Sequence, residues 1–215
     1  KKNIPDEGYW GHWPMHYKEM PVDDSFVAKA AAESEIAVVV IGRAAGEDRE
    51  NKTEKGSWYL TDVEENLLVL TRKHFQKVCI IINSGSIMDV SGIGEYMPDA
   101  LMFVWQGGQE TGNGVADVLL GKISPCGKLT DTIAKIEDYP SYHYFGNEKY
   151  NNYTEDIYVG YRYFNTFAKD KILYPFGYGL SYTEFNITDC RVKKTENTKC
   201  EIKFSVQNTG AYSGK

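Results

Sequence analysis

Residues 36–42 read Ile-Ala-Val-Val-Val-Ile-Gly, and this short apolar run ending in glycine predicts the fold of the chain. A continuous run of mostly β-branched residues at this length is typical of a buried strand in a parallel sheet. The pattern returns at Lys77 to Asn83 and at Ala100 to Trp105. Because helical segments accompany these runs, the sequence predicts an α/β fold, with a mostly parallel sheet sandwiched by helices.

Helix signals precede and follow these strands. Ser25 stands where it would cap a short Ala-rich helix over residues 26–33. Thr61 and Glu64 have the spacing of a capping box, and four apolar residues then recur at helical spacing: Val63, Leu67, Leu70 and Phe75. A further helix is predicted after the glycines of residues 107–112, with Gly121 closing it.

The last part of the chain changes character. Apolar residues there alternate with polar ones, at Phe185 and Ile187 and later at Ile202, Phe204 and Val206. This alternation is typical of antiparallel strands with one solvent-exposed face. Two such strands are at best marginally stable alone in water, so a truncated β-sandwich is predicted. The predicted domains are an irregular linker over residues 1–24, an α/β sandwich over 25–182, and the start of a β-sandwich over 183–215.

Composition excludes several classes of function. A net charge of -6 disfavours nucleic acid and anionic membranes, and no run of about 18 apolar residues predicts a membrane span. The cysteines and histidines lack metal-ligand spacing, so no metal site is predicted. Cys190 and Cys200 flank a short polar stretch, and the spacing leaves open whether they pair. Reduced thiols are the favoured interpretation, and they favour a cytoplasmic location.

The candidate chemistry lies in the loop after the first strand. Residues 42–50 read Gly-Arg-Ala-Ala-Gly-Glu-Asp-Arg-Glu, at the carboxyl end of the strand, where open α/β sheets bind ligands. Glu47 has the chemistry of a general acid if it is desolvated, because burial raises the pKa of a carboxyl group. The alternative is a solvated ion-pair cluster over residues 47–50, and spacing alone favours it.

Four segments together resemble glycoside hydrolase family 3 of the β-glucosidase type. They are Gly46-Glu47-Asp48-Arg49, Val104 to Leu129, Tyr153 to Tyr163, and Tyr174 to Phe185. The resemblance covers nearly everything from about residue 25 onward. Typical members join a (β/α)8-type barrel, an α/β sandwich and a fibronectin type III-like domain. The resemblance therefore implies that residues 183–215 begin a fibronectin type III-like domain.

The resemblance also implies chemistry, namely a retaining hydrolysis of terminal β-D-glucosides or oligosaccharides by two carboxylates. It makes Glu47 the general acid/base and gives Asp48 and Arg49 a role in supporting the loop. Trp58 and Tyr59 are candidates for lining the leaving-group side, with packing an equal alternative. The proposed chemistry needs no cofactor and no metal.

The sequence departs from the family pattern at Cys126 and Asn165, away from the proposed chemistry, and in one decisive respect. It contains neither a barrel nor a Ser-Asp-Trp-like nucleophile motif, so the predicted partner is the missing barrel of the same protein. The chain alone is predicted to be inactive. The alternatives are β-xylosidase activity, or a non-catalytic carbohydrate-binding or docking module that uses the aromatic-rich stretch from Asp138 to Tyr182, which includes Tyr153, Tyr158, Tyr161 and Tyr163. Domain order in the parent protein stays open.

Overall fold

The computed structural model describes residues 15–44, 51–144, 149–150 and 152–214. They belong to two compact units, one built from residues 1–108 and 131–176 and the other from residues 109–130 and 177–215. The three predicted domains, with boundaries at residues 24 and 182, stay a prediction.

The described helices and strands follow one another in an order close to the predicted one. Along the chain they are α1 (Asp24–Glu33), β1 (Ile36–Gly42), α2 (Asp62–His74), β2 (Lys77–Asn83), α3 (Val90–Gly94), β3 (Ala100–Phe103), α4 (Thr111–Leu119), α5 (Tyr161–Phe167), β4 (Phe185–Glu196) and β5 (Lys199–Asn208). Short 3-10 helices lie at Ile136–Asp138, Tyr142–Tyr144 and Lys169–Lys171.

The first unit contains a parallel sheet in the order β1-β2-β3. Ile36 lies opposite Lys77 and Gly42 opposite Asn83, so the three carboxyl ends meet at one edge of the sheet. The central strand β2 is buried along both faces from Val78 to Ile82. The predicted α/β fold with a mostly parallel sheet is confirmed.

The strand β1 differs from its prediction as a fully buried strand. Val39 and Ile41 are buried, but Ile36, Val38 and Val40 are 59%, 49% and 53% exposed. The reason is that β1 lies at the edge of the described sheet, so among the described residues it has a neighbouring strand on one side only. An apolar run alone does not distinguish an edge strand from a central one.

The two helices before β2 begin at side-chain caps. In α1 the cap is Asp23 rather than Ser25, since Asp23 Oδ1 accepts from the Phe26 amide at 2.8 Å and from Ser25 Oγ at 2.8 Å. In α2 the predicted capping box is present. The Glu64 amide donates to Thr61 Oγ1 at 3.2 Å, and the Thr61 amide donates to Glu64 Oε2 at 2.8 Å.

Removing the cap of α2 is expected to weaken the first unit modestly. Thr61→Ala deletes the oxygen that accepts from the Glu64 amide, which should lower the free energy of unfolding by about 1 kcal/mol. Thr61→Ser keeps that oxygen and serves as the matched control, with little change expected. Urea unfolding of the protein measures both. Equal losses in the two variants would contradict a capping role for the hydroxyl.

A second core of the first unit surrounds α5. Phe164 is fully buried between Ala134 and Ala168, and the Tyr139 ring meets it edge-on with centroids 5.0 Å apart. The Tyr139 hydroxyl donates to the Thr132 carbonyl at 2.7 Å. Burial raises the pKa of Tyr139 to about 12, so the phenol stays neutral and keeps donating. Phe164 and Tyr139 therefore pack inside the unit, whereas other aromatics after residue 138 are exposed, among them Tyr150 at 61% and Tyr153 at 86%.

The second unit contains α4 and the antiparallel hairpin of β4 and β5. Gly121, at φ +70°, ends α4 as predicted. In β4 the register shifts between Thr188 and Arg191, and this bulge changes which residues share a face. Ile187 lies opposite Val206, and Val192 opposite Ile202. The bulge therefore gathers the apolar residues of both strands on one face.

The same register separates the two cysteines of the hairpin. Cys200 lies opposite Lys194, whereas Cys190 lies within the bulge. Four residues of strand separate positions 190 and 194, a distance of roughly 13 Å, which is more than a disulfide can bridge. Both cysteines are free thiols, so the pairing that the sequence left open does not occur here.

None of the described helices is long and apolar enough to cross a membrane.

Candidate functional site

The predicted catalytic residue Glu47 and its predicted supports Asp48 and Arg49 lie outside the described residues. What the structure describes is the chain on either side of them, up to Ala44 and again from Asn51. These two flanks meet at the carboxyl edge of the parallel sheet. The candidate site is therefore built from what holds Arg43 and Asn51.

Arg43 directly follows β1, and its side chain is buried. Its amide donates to the Asn83 carbonyl at 2.9 Å, which extends the pairing with β2. Its guanidinium forms a bidentate pair with Glu64, with Nη1 to Oε1 at 2.6 Å and Nη2 to Oε2 at 3.0 Å. Both side chains are only 2% exposed. The end of β1 is thereby tied to the first turn of α2.

The remaining N–H groups of Arg43 hold the backbone nearby. They donate to the carbonyls of Gly42 at 2.8 Å, Ser57 at 3.2 Å and Tyr59 at 3.2 Å. With the two bonds to Glu64, the described residues accept five hydrogen bonds, which is the full capacity of a guanidinium group. Arg43 thus joins the end of β1 to the stretch from Ser57 to Glu64.

Glu64 remains ionised in this position. Burial alone would raise its pKa, but the hydrogen bonds from Arg43 and from the Thr61 amide, together with the charge of Arg43, outweigh burial and lower the pKa. A buried ion pair of this kind is stable only when its remaining donors and acceptors are satisfied, and here they are.

On the other flank, Asn51 bridges the loops that follow β1 and β2. Asn51 Nδ2 donates to Ser86 Oγ at 2.7 Å, and Ser57 Oγ donates to Asn51 Oδ1 at 3.4 Å. The Lys52 amide donates to Ser57 Oγ at 2.9 Å. Ser57 is buried and also accepts from Arg43 through its carbonyl. One residue therefore connects both flanks of the 45–50 segment.

A glycine turn brings the chain near residue 16 against this edge. The Ala44 amide donates to the Met15 carbonyl at 2.7 Å. Gly56 has φ +86°, and a Cβ built there would lie 2.1 Å from the ring of His16. Only glycine fits between this ring and the turn, because any larger residue meets both a strained φ and a clash.

Trp58 and Tyr59, the candidate leaving-group residues, contribute differently. Trp58 is 5% exposed, and its Nε1 has no hydrogen-bond partner in the described part of the chain. The Tyr59 side chain is half-buried, and burial raises the pKa of its phenol. Tyr59 also accepts from Arg43 Nη2 through its carbonyl. Packing explains most of what Trp58 does here, and a role for either residue toward a substrate stays a prediction.

The functional interest of Arg43, Glu64 and Asn51 is not apparent from sequence patterns. Glu64 is recognised there only as half of a capping box, although its carboxylate also pairs with Arg43. The one available signal is an arginine directly after an apolar strand, at a position that the sheet buries. A charged group there requires a buried counter-ion, and Glu64 supplies it.

Part of the segment over residues 153–163 lines an open cleft, whereas Tyr153 of the same segment is 86% exposed. The cleft has a volume of about 380 Å³ and is lined by Ile157, Tyr158, Tyr161, Arg162, Asn165 and Thr166. The Tyr161 ring stacks on the Phe176 ring with centroids 4.7 Å apart. The Arg162 guanidinium lies 4.9 Å from the centroid of the Tyr161 ring. Tyr158 packs edge-on against Phe167. These rings already have partners, which favours packing over sugar stacking.

No group of three His, Cys, Asp or Glu side chains among the described residues is arranged to hold a metal ion.

Comparison with known proteins gives one consistent answer. A model of the glycosyl hydrolase family 3 C-terminal domain matches residues 16–182. A β-glucosidase of Ruminococcus albus is 51% identical over 96% of this chain, and β-glucosidase A of Butyrivibrio fibrisolvens is 38% identical over 88%. The crystal structure of a β-glucosidase from Paenibacillus barengoltzii superposes with a TM-score of 0.91, at 45% identity over 99% of this chain.

The match covers only part of each relative. The chain spans 22% of the Ruminococcus protein, 26% of the Butyrivibrio protein and 24% of the Paenibacillus chain.

Proposed function

This chain belongs to glycosyl hydrolase family 3, and from that premise we propose that it supplies the general acid/base of a retaining β-glucosidase. The observation that carries the proposal is the 51% identity to a β-glucosidase across 96% of the chain. Together with the Gly-Glu-Asp-Arg motif at residues 46–49, it favours catalysis over the solvated ion-pair interpretation.

Glu47 is the proposed acid/base. In the first step it protonates the oxygen of the leaving group while an aspartate on the barrel of the same protein attacks the anomeric carbon. In the second step Glu47 accepts a proton from the water that releases the glycosyl-enzyme. Asp48 and Arg49 are proposed to keep the loop in place, because proton transfer demands close geometry. This chemistry needs no cofactor.

The described flanks support this role without including Glu47 itself. Glu47 is four residues from Arg43 and four from Asn51, and each of those residues is tied to the sheet edge by side-chain hydrogen bonds. In open α/β folds this edge is where ligands bind. A carboxylate carried between two fixed points suits a reaction in which one group serves first as acid and then as base.

The proposed substrates are terminal β-D-glucosides, with β-xylosides as the second candidate. A sugar-binding or docking module without catalysis is the remaining alternative. Exposed aromatic faces would support it: Tyr153 is 86% exposed, whereas the rings of Tyr158 and Tyr161 pack against Phe167 and Phe176. We place catalysis first because of the 51% identity to a β-glucosidase across 96% of the chain.

The test is hydrolysis by the full-length protein of aryl β-D-glucosides and aryl β-D-xylosides that share one leaving group. We expect glucoside hydrolysis with retention of configuration. Proton NMR of the anomer that forms first measures this outcome. The 215-residue chain alone should be inactive, because it lacks the attacking carboxylate. Inversion of configuration, or substantial turnover by the chain alone, would refute the proposed division of roles.

A further inference from the structure

We propose that Arg43, held by Glu64, is a positioning residue for proton transfer in this enzyme. The inference rests on the proposed function, because it assumes that the acid/base lies between Arg43 and Asn51. It concerns two residues to which neither the sequence motifs nor the matched proteins' names assign a part in catalysis.

A buried arginine needs partners for all five of its N–H groups, and the choice of partners decides which parts of the chain it holds. Besides the two bonds to Glu64, Arg43 donates three hydrogen bonds, to the carbonyls of Gly42, Ser57 and Tyr59. These carbonyls belong to the end of β1 and to the turn before α2. The group therefore fixes the position of the backbone on both sides of the 45–50 segment, directly on one side and through Ser57 on the other.

The short distance along the chain makes this fixation relevant to Glu47. Glu47 stands four residues after Arg43 and four before Asn51 in the sequence. Arg43 holds the first flank, and Ser57, whose carbonyl accepts from Arg43, contacts Asn51 and Lys52 on the second. A displacement of the guanidinium therefore disturbs the described residues on both flanks of the 45–50 segment together.

The planar fork of arginine is what the site requires. Nη1 and Nη2 meet the two oxygens of Glu64 in parallel, while Nε and the outer N–H groups point at carbonyls. A lysine keeps the charge but has one nitrogen on a flexible stem, so it reproduces neither the bidentate pair nor the carbonyl contacts. Arg43→Lys is thus a change of geometry at constant charge.

The experiment compares two substrates on one preparation of the full-length enzyme. Dinitrophenyl β-D-glucoside has a leaving group that departs without protonation, whereas phenyl β-D-glucoside has one that requires the acid. We expect Arg43→Lys to lower kcat/KM for the phenyl substrate about 10- to 100-fold, and for the dinitrophenyl substrate only a few-fold. The ratio of the two values does not depend on the folded fraction, so partial misfolding cannot produce this result.

Arg72→Lys is the matched control. Arg72 is also ion-paired, with Nη1 at 2.9 Å from Asp99 Oδ2, but it lies in the last turn of α2. In Arg72→Lys the ratio of kcat/KM for the phenyl substrate to kcat/KM for the dinitrophenyl substrate should equal that of the wild type. An unchanged ratio in Arg43→Lys, or an equal loss on both substrates, would overturn the positioning role and leave a purely structural one. Glu64→Gln, which keeps the shape but removes the charge, should change the ratio in the same direction.

The Glu47→Gln variant separates the two proposals. If Glu47→Gln shows the strong dependence on the leaving group and Arg43→Lys does not, the positioning proposal is wrong and the proposed function stands. If neither variant shows the dependence on the leaving group, both the positioning proposal and the proposed role of Glu47 are wrong.

Discussion

Replacing Glu47 by glutamine in the full-length enzyme should abolish most hydrolysis of substrates with poor leaving groups. Glutamine has nearly the shape of glutamate, but it neither donates a proton to the departing oxygen nor accepts one from water. We expect kcat/KM for phenyl β-D-glucoside to fall by about 10²- to 10⁴-fold, the usual contribution of general acid–base catalysis. For dinitrophenyl β-D-glucoside the loss in kcat/KM should be much smaller.

A second signature comes from added azide. With the dinitrophenyl substrate the Glu47→Gln variant should accumulate glycosyl-enzyme, because no base activates water. Azide attacks without deprotonation, so it should raise kcat and yield β-glucosyl azide. Glu50→Gln, a change of the same kind in the same segment, is the control and should stay within a few-fold of wild type. Near wild-type activity of Glu47→Gln on the phenyl substrate would place the acid elsewhere.

Removing Glu64 should cause a large loss of stability. Glu64→Ala leaves the Arg43 guanidinium buried, at 2% exposure, without its counter-ion. Breaking a buried pair by deleting one partner costs about 3–5 kcal/mol, chiefly because the remaining charge is desolvated and unpaired. The measurement is the free energy of unfolding of the full-length protein, followed through the transition that contains this domain.

The neighbouring residue Glu65 provides the matched control. Its carboxylate pairs with Lys55 Nζ at 3.0 Å, and both side chains are well exposed to solvent. Glu65→Ala should therefore cost only about 0–1 kcal/mol. If Glu64→Ala costs no more than Glu65→Ala, the Arg43–Glu64 pair does not hold the two elements together.

The pH dependence of the Glu64 effect has a defined sign. The pKa of Glu64 is lowered in the folded state, because Arg43 and the Thr61 amide stabilise the carboxylate more than burial penalises it. The stabilisation is then fully present above the unfolded pKa, about 4.3, and is lost as pH falls through the lowered folded value. The difference in stability between wild type and Glu64→Ala should shrink in that acidic range.

Local patterns in the sequence were sufficient for most of the fold. The apolar runs at residues 36–42 and 77–83 predicted parallel strands, and the spacing of Thr61 and Glu64 predicted the start of α2. Each of these signals depends on residues close together in the chain. The family followed from four motifs in a fixed order, and the match over residues 16–182 confirms it.

Local patterns failed where neighbours in space decide the outcome. The edge position of β1 exposes Val38 and Val40, although their sequence is that of a buried strand. The hairpin register places Cys200 opposite Lys194, four residues from Cys190, although the sequence left their pairing open. Neither the strand order of the sheet nor the register of a hairpin is encoded by periodicity.

Propensity, capping and motifs act within short stretches of chain, so they were enough to predict the order of strands and helices and the family, and to propose Glu47 as the acid/base. The ion pair between Arg43 and Glu64, 21 residues apart, and the burial of Trp58 emerged only from the folded chain. A buried charge selects its partner by distance and desolvation. Those quantities exist only once the sheet has brought the ends of its strands to one edge.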